Sequence, residues 1–303
     1  MSIHAGFDLG GTALKFGLVD DKGKIITESE VETPKDVEKL FQILKEIWIT
    51  LTSSQRNRIE TAGFGFPGIY SKKKRKILQS PNYPGIDNIA LYPALSRFID
   101  VPFCVNNDAN LAAYGEYTCG AGKGSHSLVH LTIGTGVGSG IILEGDIWEG
   151  ACGYAGELGH VVVNPQGEPC NCGSRGCLET EVSAQKIVAN YQASGKCRAG
   201  MTAEDVSRYA ENNDTAARQA FAKAGKFLGI GLSIVINLLN PEKILLGGGV
   251  MKAGVFLIEP AYEEAARRSF QGSFRCCRIE HAALGNKAGF IGAALWSGKQ
   301  RPG

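Results

Sequence analysis

Three thiols and an imidazole are the most chemically pointed residues in the chain. Cys170, Cys172 and Cys177 fall within eight residues, and His160 lies ten residues before the first of them. Three thiolates and an imidazole make a tetrahedral zinc set, and with all four positions filled by protein the metal would be structural rather than a Lewis acid. The glycines in CNCGSRGC let the loop fold back on itself. A cysteine without ligand spacing is usually a small hydrophobe or a surface thiol, which is the reading for Cys104, Cys119, Cys152, Cys197, Cys276 and Cys277. A metal-bound imidazole seeks a partner for its second ring nitrogen, and Glu157 and Glu179 flank the ligands closely enough to share one pocket with it. Carboxylates and an imidazole converging on a neutral polyol would form a sugar site. The competing reading leaves both glutamates as solvated surface groups.

Glycine turns supply a second chemistry. In DLGGTALK, residues 8–15, the glycine pair admits main-chain N–H groups to a phosphate, Thr12 adds a hydroxyl donor, and Asp8 offers a carboxylate to a metal-bound water. For the glycine pair alone, an ordinary hairpin turn is an equal alternative. GTGVGSG at 134–140 and GGG at 247–249 are candidate companions. Neither holds G-x-G-x-x-G in register, and no G-x-x-x-x-G-K-[ST] occurs, so Rossmann and P-loop readings are weakened. In NNDAN, residues 106–110, Asp108 falls where a strand ends and a helix begins, a place whose dipole favours the ionised carboxylate. It could take a proton from a hydroxyl, or it could merely cap the helix.

The elements that must position these groups follow from periodicity. Residues 3–31 read as three strands joined by two turns, an antiparallel start to a sheet. Thr33-Pro34-Lys35-Asp36 offers a capping hydroxyl, a proline at the first helical position and an acid in the first turn. Val37, Leu40, Phe41, Leu44, Ile47, Trp48 and Leu51 follow at helical spacing and predict a helix over 34–51. IETAGFGFPG (59–68) and VPFCVNNDAN (101–110) read as strands with glycine or polar groups at their carboxyl ends, the edge where open α/β sheets bind ligands. Residues 127–143 repeat the opening theme, Gly134 falling where Gly10 does, so the chain reads as two related halves. Residues 183–240 are mostly helical by pattern, KILLGGGV (243–250) is another buried strand, and helix, strand and helix close the chain. The charge run in YSKKKRKI (70–77) reads as a solvated hairpin tip.

Composition narrows the class. At roughly 150 residues per domain, 303 residues predict two domains. Lys+Arg 32 against Asp+Glu 30 leaves a net +2, too little to draw the chain to nucleic acid or an anionic membrane. The longest apolar stretches, such as 232–239, fall short of the ~20 residues that span a bilayer. With no leader pattern at the N-terminus, the expected location is cytoplasmic.

Taken in order and at these spacings, DLGGTALK, NNDAN, GTGVGSG, GELGH and CNCGSRGCLE resemble the ROK sugar kinases, in particular their zinc-containing, glucokinase-like branch. The resemblance implies an α/β, actin-like ATPase (ribonuclease H-like) fold with two α/β domains flanking a cleft. The expected division is a small domain of residues 1–106 joined by a C-terminal helix at 287–303, and a large domain of 107–286 carrying the zinc loop 160–177. It implies a first phosphate loop of Asp8, Gly10, Gly11, Thr12 and Lys15, with Asp8 helping to place Mg²⁺. Gly134, Thr135 and Gly136 would form the second, and Gly247, Gly248 and Gly249 would lie by the adenosine of ATP. Asp108 would be the catalytic base. Asn107, Glu157, His160 and Glu179 would bond sugar hydroxyls, Gly68 and Asn82 would close over the sugar, and His160 would serve sugar and structural Zn²⁺ together, with Cys170, Cys172 and Cys177.

The implied activity is transfer of the γ-phosphoryl group of ATP to a hexose, foremost glucose to glucose 6-phosphate. The alternatives are an N-acetylglucosamine, N-acetylmannosamine or fructose kinase, or a sugar-sensing protein that keeps the fold without turnover. The implied partners are sugar and ATP, without nucleic acid or membrane, in a homodimer or homotetramer. Related repressors carry a helix-turn-helix ahead of the first motif, for which the seven residues before Asp8 leave no room. One departure is notable: many glucokinases read NLPGW where this chain reads NYPGI (82–86), putting Ile86 where an aromatic residue is expected beside the sugar loop.

Overall fold

The computed structural model describes residues 2–55, 58–80, 83–196, 198 and 200–300. Cys197 and Asn82 lie outside the described residues. The first sheet is built by the three opening strands, β1 (Ile3–Leu9), β2 (Ala13–Asp20) and β3 (Ile25–Glu32), followed by helix α1 (Val37–Gln55) and strand β4 (Ile59–Phe66). The hairpin β5 (Ile69–Ser71) and β6 (Lys76–Gln79), the short helix α2 (Leu91–Leu95) and strand β7 (Phe103–Asn107) complete this part of the chain. The strand order is β3-β2-β1-β4-β7, with β1, β4 and β7 parallel and β2 and β3 antiparallel additions.

Helix α3 (Asp108–Cys119) leads to the second sheet, β8 (Ser127–Ile133), β9 (Val137–Leu143), β10 (Asp146–Ile147), β11 (Lys243–Gly247) and β12 (Arg278–His281). Its order is β10-β9-β8-β11-β12, with β8, β11 and β12 parallel. In both sheets the strands lie in the order third, second, first, fourth, fifth, so the repeat glimpsed in the two glycine turns extends to whole sheets. Between β10 and β11 run α4 (Leu178–Val182), α5 (Ala184–Gln192), α6 (Ala203–Glu211) and the long α7 (Thr215–Leu239), and after β11 come α8 (Val255–Arg268), the short α9 (Gln271–Cys276), β12 and α10 (Ala288–Lys299).

The chain forms two compact units, one of Met1–Gly124, Gly140–Gly156 and Leu284–Gly303, the other of Ser125–Ser139 and Glu157–Ala283. The first therefore includes α3, which the expected boundary at 106/107 gave to the second. The cause is α10, which packs on α3 and on β1 and β4 together. Glycines make that seat possible: a Cβ on Gly6 would lie 1.9 Å from the Phe290 carbonyl, on Gly63 1.8 Å from that of Ala293, and a Cβ on Gly292 1.8 Å from that of Leu111. Gly63→Ala is expected to cost about 3 kcal/mol and to lower the thermal midpoint by several degrees, since backbone on both sides must part. A midpoint equal to that of the wild type would show that α10 is not seated there. The core of this unit stacks Phe7 on Phe64 at 4.6 Å and sets Phe103 edge-on to Phe64 at 5.9 Å.

Two local expectations need correction. The helix predicted over 34–51 begins at Val37, and its first N–H groups are met by Asp36, whose Oδ1 accepts from Lys39 N at 2.8 Å. Thr33 does not cap it. Its hydroxyl donates to the Gly10 carbonyl at 2.7 Å and its N–H to the Thr12 carbonyl at 2.9 Å, so Thr33 clasps the first glycine turn instead. Helix α7, with 25 residues and a mean hydropathy of 1.4 over its most apolar window, meets the length and composition of a membrane span, which the short apolar runs had argued against. Half of that window is buried by protein, and α7 packs on α4, α5, α6 and α8. The charge run forms the expected hairpin tip, yet some of its cations are engaged: Lys72 pairs with Glu149, and Arg75 lies 5.2 Å from the ring centre of Tyr92.

Candidate functional site

In the first unit, the parallel register brings the chemical residues to one sheet edge. Asp8 of β1 lies beside Gly65 of β4, Gly65 beside Asn106 of β7, and Phe66 beside Asn107. A Cβ on Gly65 would come 3.4 Å from Asp108 Cα, so the glycine lets the start of α3 approach. Lys15 is the cross-strand neighbour of Asp8 in β2.

Asp108 is the first helical residue, but it is not the cap. Asn107 is, its Oδ1 accepting from Asn110 N at 3.0 Å. The alternative that Asp108 merely caps α3 is thereby set aside, and its Oδ1 accepts a short-range bond from Ala109 N at 2.9 Å. Burial pushes Asp108 up to about 6, against the pull of backbone hydrogen bonds. Burial and then the charge of Asp108 push Asp8 up to about 7, with Lys15 opposing. Two buried carboxylates, the charge of one opposing ionisation of the other, with one cation across the strand, are a donor set that a hard divalent cation would relieve.

Asn107, expected to bond sugar, also donates from Nδ2 to the Gly68 carbonyl at 3.0 Å. Both heteroatoms thus have protein partners, and one N–H is left for a ligand. Gly68 has φ 101° and would press a Cβ to 2.3 Å from the Gln79 carbonyl, so the fold itself demands glycine there. Ile86 is fully buried in the core of this unit, so the departure from NLPGW is absorbed by packing. Two supports had no sequence signal. Glu149 accepts from Asn106 Nδ2 at 3.0 Å across 43 positions of sequence, and Gly289 at the start of α10 faces Asp8, where a Cβ would fall 2.2 Å from Oδ2.

In the second unit, the turns after β8 and β11 meet: a Cβ on Gly248, at φ 92°, would lie 2.3 Å from the Ile133 carbonyl. Gly11, Gly134 and Gly249 differ from such glycines. None has a positive φ, and a Cβ on any of them would meet nothing within 4 Å. The fold supplies no steric reason for glycine at these three positions, one in each of the three turns, whereas a phosphate brought against the main chain does.

The metal-ligand candidates converge. One donor atom from each of His160, Cys170, Cys172 and Cys177 lies within 4.8 Å of the others. Cys172 Sγ to Cys177 Sγ is 3.6 Å, and Cys170 Sγ to His160 Nδ1 is 3.6 Å, close to the edge of about 3.8 Å that a tetrahedron of ~2.3 Å bonds requires. The loop closes as its glycines foretold, Cys170 N donating to the Ser174 carbonyl at 2.8 Å while Gly173 and Gly176 take φ of 92° and 66°. His160 turns Nδ1 to the cysteines and Nε2 toward Glu157 Oε2, 3.9 Å away. Glu157 is exposed. Glu179 is partly buried, and its Oε2 accepts from Val137 N at 2.8 Å, so one of its oxygens is committed to the second glycine turn.

The sequence pattern of the ROK family matches residues 4–300. The chain is 34% identical over 320 residues to a glucokinase of Halalkalibacterium halodurans, covering 98% of this chain and 95% of that one. Among solved structures it is similar to a ROK hexokinase from Thermus thermophilus, with TM-score 0.86, 32% identity and 97% of both chains covered. It is equally similar to a ROK family glucokinase from Streptomyces griseus in complex with glucose and AMPPNP, with TM-score 0.86 and 30% identity over 98% of this chain and 100% of that one.

Proposed function

The chain belongs to the ROK family, with its actin-like ATPase fold, and from that premise we propose that it is an ATP-dependent hexose kinase converting glucose to glucose 6-phosphate. The observation that carries the reading is the pairing of a base with bare phosphate turns: Asp108 relieved of capping by Asn107, and Gly11, Gly134 and Gly249 left open by the fold. The likeness to a glucokinase with glucose and a nucleotide analogue supports both substrates.

The chemistry assigns itself to these residues. A protonated sugar hydroxyl is a poor nucleophile, so Asp108 takes its proton from within about 2.6–3.2 Å as the sugar oxygen bonds to the γ-phosphorus, and the bond to the β-γ bridging oxygen breaks to release ADP. The main-chain N–H groups of the turns at Gly10–Thr12 and Gly134–Gly136 hold phosphate oxygens, Lys15 balances charge beside Asp8, and Gly247–Gly249 border the adenosine. Asp8 would hold Mg²⁺, which when bound neutralises charge on the phosphates. His160, Cys170, Cys172 and Cys177 would hold Zn²⁺ as a structural ion. Glu157, Glu179, His160 and Asn107 would bond the sugar hydroxyls, with Gly68 and Asn82 over it. A cytoplasmic location and a homodimer or homotetramer belong to the same reading.

A coupled ADP-release assay over glucose, mannose, fructose, allose, N-acetylglucosamine and N-acetylmannosamine tests it. Glucose is expected to give the highest kcat/KM. A clear preference for an N-acetylhexosamine or fructose would reassign the sugar, and turnover of none by folded, metal-loaded protein would overturn the kinase in favour of a sugar sensor.

A further inference from the structure

The segments that carry the metal ligands grip the second glycine turn from both sides. Next to His160, Leu158 N donates to Ser139 Oγ at 3.2 Å, and a Cβ on Gly159 would lie 2.3 Å from the Val137 carbonyl. Past Cys177, Glu179 Oε2 accepts from Val137 N at 2.8 Å, and Ala184 N donates to the Gly134 carbonyl at 2.8 Å. Within itself the turn is closed by Gly134 N donating to the Gly136 carbonyl at 2.9 Å, between strands β8 and β9 that pair with each other. The contacts from 158–159, 179 and 184 add to that frame.

Resting on the kinase reading, we infer that Glu179 is a positioning residue for the second phosphate turn, so that the Cys/His cluster controls nucleotide affinity as well as the sugar pocket. A carboxylate beside a polyphosphate site is electrostatically adverse, and its presence is accounted for by its bond to the backbone. Gly136 supports this, because a Cβ there would come 2.4 Å from Glu179 Oε2: the turn carries no side chain where the carboxylate seats. Cys177 immediately precedes α4, which bears Glu179 on its first turn, so anchoring the cysteine anchors the carboxylate. One oxygen of Glu179 toward the turn and the other toward a sugar would couple the two substrates through a single side chain.

The function needs only an acceptor at that oxygen, and this separates it from a merely structural or sugar-binding role. Mg·AMPPNP is titrated without sugar into the wild type, Glu179→Ala and Glu179→Gln, with metal content per chain measured for each. Glu179→Ala is expected to weaken AMPPNP about tenfold, the size of a lost charged hydrogen bond, with metal retained. Glu179→Gln keeps an oxygen for Val137 N and is expected to bind AMPPNP within about twofold of the wild type. AMPPNP binding by Glu179→Ala equal to the wild type, or by Glu179→Gln as weak as Glu179→Ala, overturns the assignment. Should Glu179→Ala not fold, Gly136→Ala, which displaces the carboxylate, must weaken AMPPNP in the same way, and wild-type affinity there overturns it too. Failure of the underlying reading is visible separately, as a wild type that phosphorylates no hexose whatever the variants bind.

Discussion

Asp108→Asn is expected to lower kcat by about 10²–10⁴-fold with little change in the dissociation constants of sugar and nucleotide. The substitution keeps the shape of the side chain and an oxygen to accept from Ala109 N, the bond Asp108 makes at 2.9 Å. The cap of α3 is untouched, because Asn107 supplies it. What is lost is the capacity to take a proton, which matters only as the sugar hydroxyl becomes a nucleophile. The wild type should show the same dependence in pH. Burial pushes Asp108 up to about 6, and the base is the ionised form, so kcat should be level above that value and fall tenfold per pH unit below it. In Asp108→Asn the residual rate should lose that limb. Steady-state kinetics from pH 5 to 8 measure both, and a variant with near-normal kcat removes Asp108 as the base.

How much of this was readable beforehand depended on whether a feature is local. The overlay of Gly10 on Gly134 disclosed a repeat that proved to govern the order of two whole sheets, because a turn between two strands is written in adjacent residues. The Cys/His cluster was equally legible, its candidate ligands lying on one folded-back loop. The cap of α1 was misread because Thr33 and Asp36 are both acceptors, and only the partner at the Gly10 turn decides which serves the helix. The grouping of α3 with the first sheet depends on α10, which arrives from the far end of the chain onto glycines at 6 and 63. Glu149 and Gly289 were invisible for the same reason: nothing near Asn106 or Asp8 announces them. Gly159 did carry a signal, since it stands in GELGH beside a candidate ligand, but its contact with Val137 is a matter of backbone approach that composition does not express.

Removing one ligand from the cysteine cluster should have the largest effect on stability. Cys177 is fully buried, belongs to the candidate metal cluster and stands at the N-terminal end of α4. Around it the chain has little regular structure: the isolated pairings of Val162 with Cys177 and of Pro169 with Arg175, and a Gly176 carbonyl that accepts from both Val163 N and Asn164 N. A loop that lies outside both sheets is ordered at the expense of its own entropy, and metal binding energy in such sites is folding energy. Cys177→Ser is therefore expected to lose the metal and to lower the thermal midpoint by about 10 °C, corresponding to a few kcal/mol in a chain of this size. The exposed Cys152, outside the cluster, sets the contrast, since Cys152→Ser should leave metal content and midpoint unchanged. Chelation of the wild type should reproduce the Cys177→Ser midpoint, and added Zn²⁺ should restore it in the wild type alone. Wild-type protein that purifies without zinc and gains no stability from it would remove the structural ion from the mechanism.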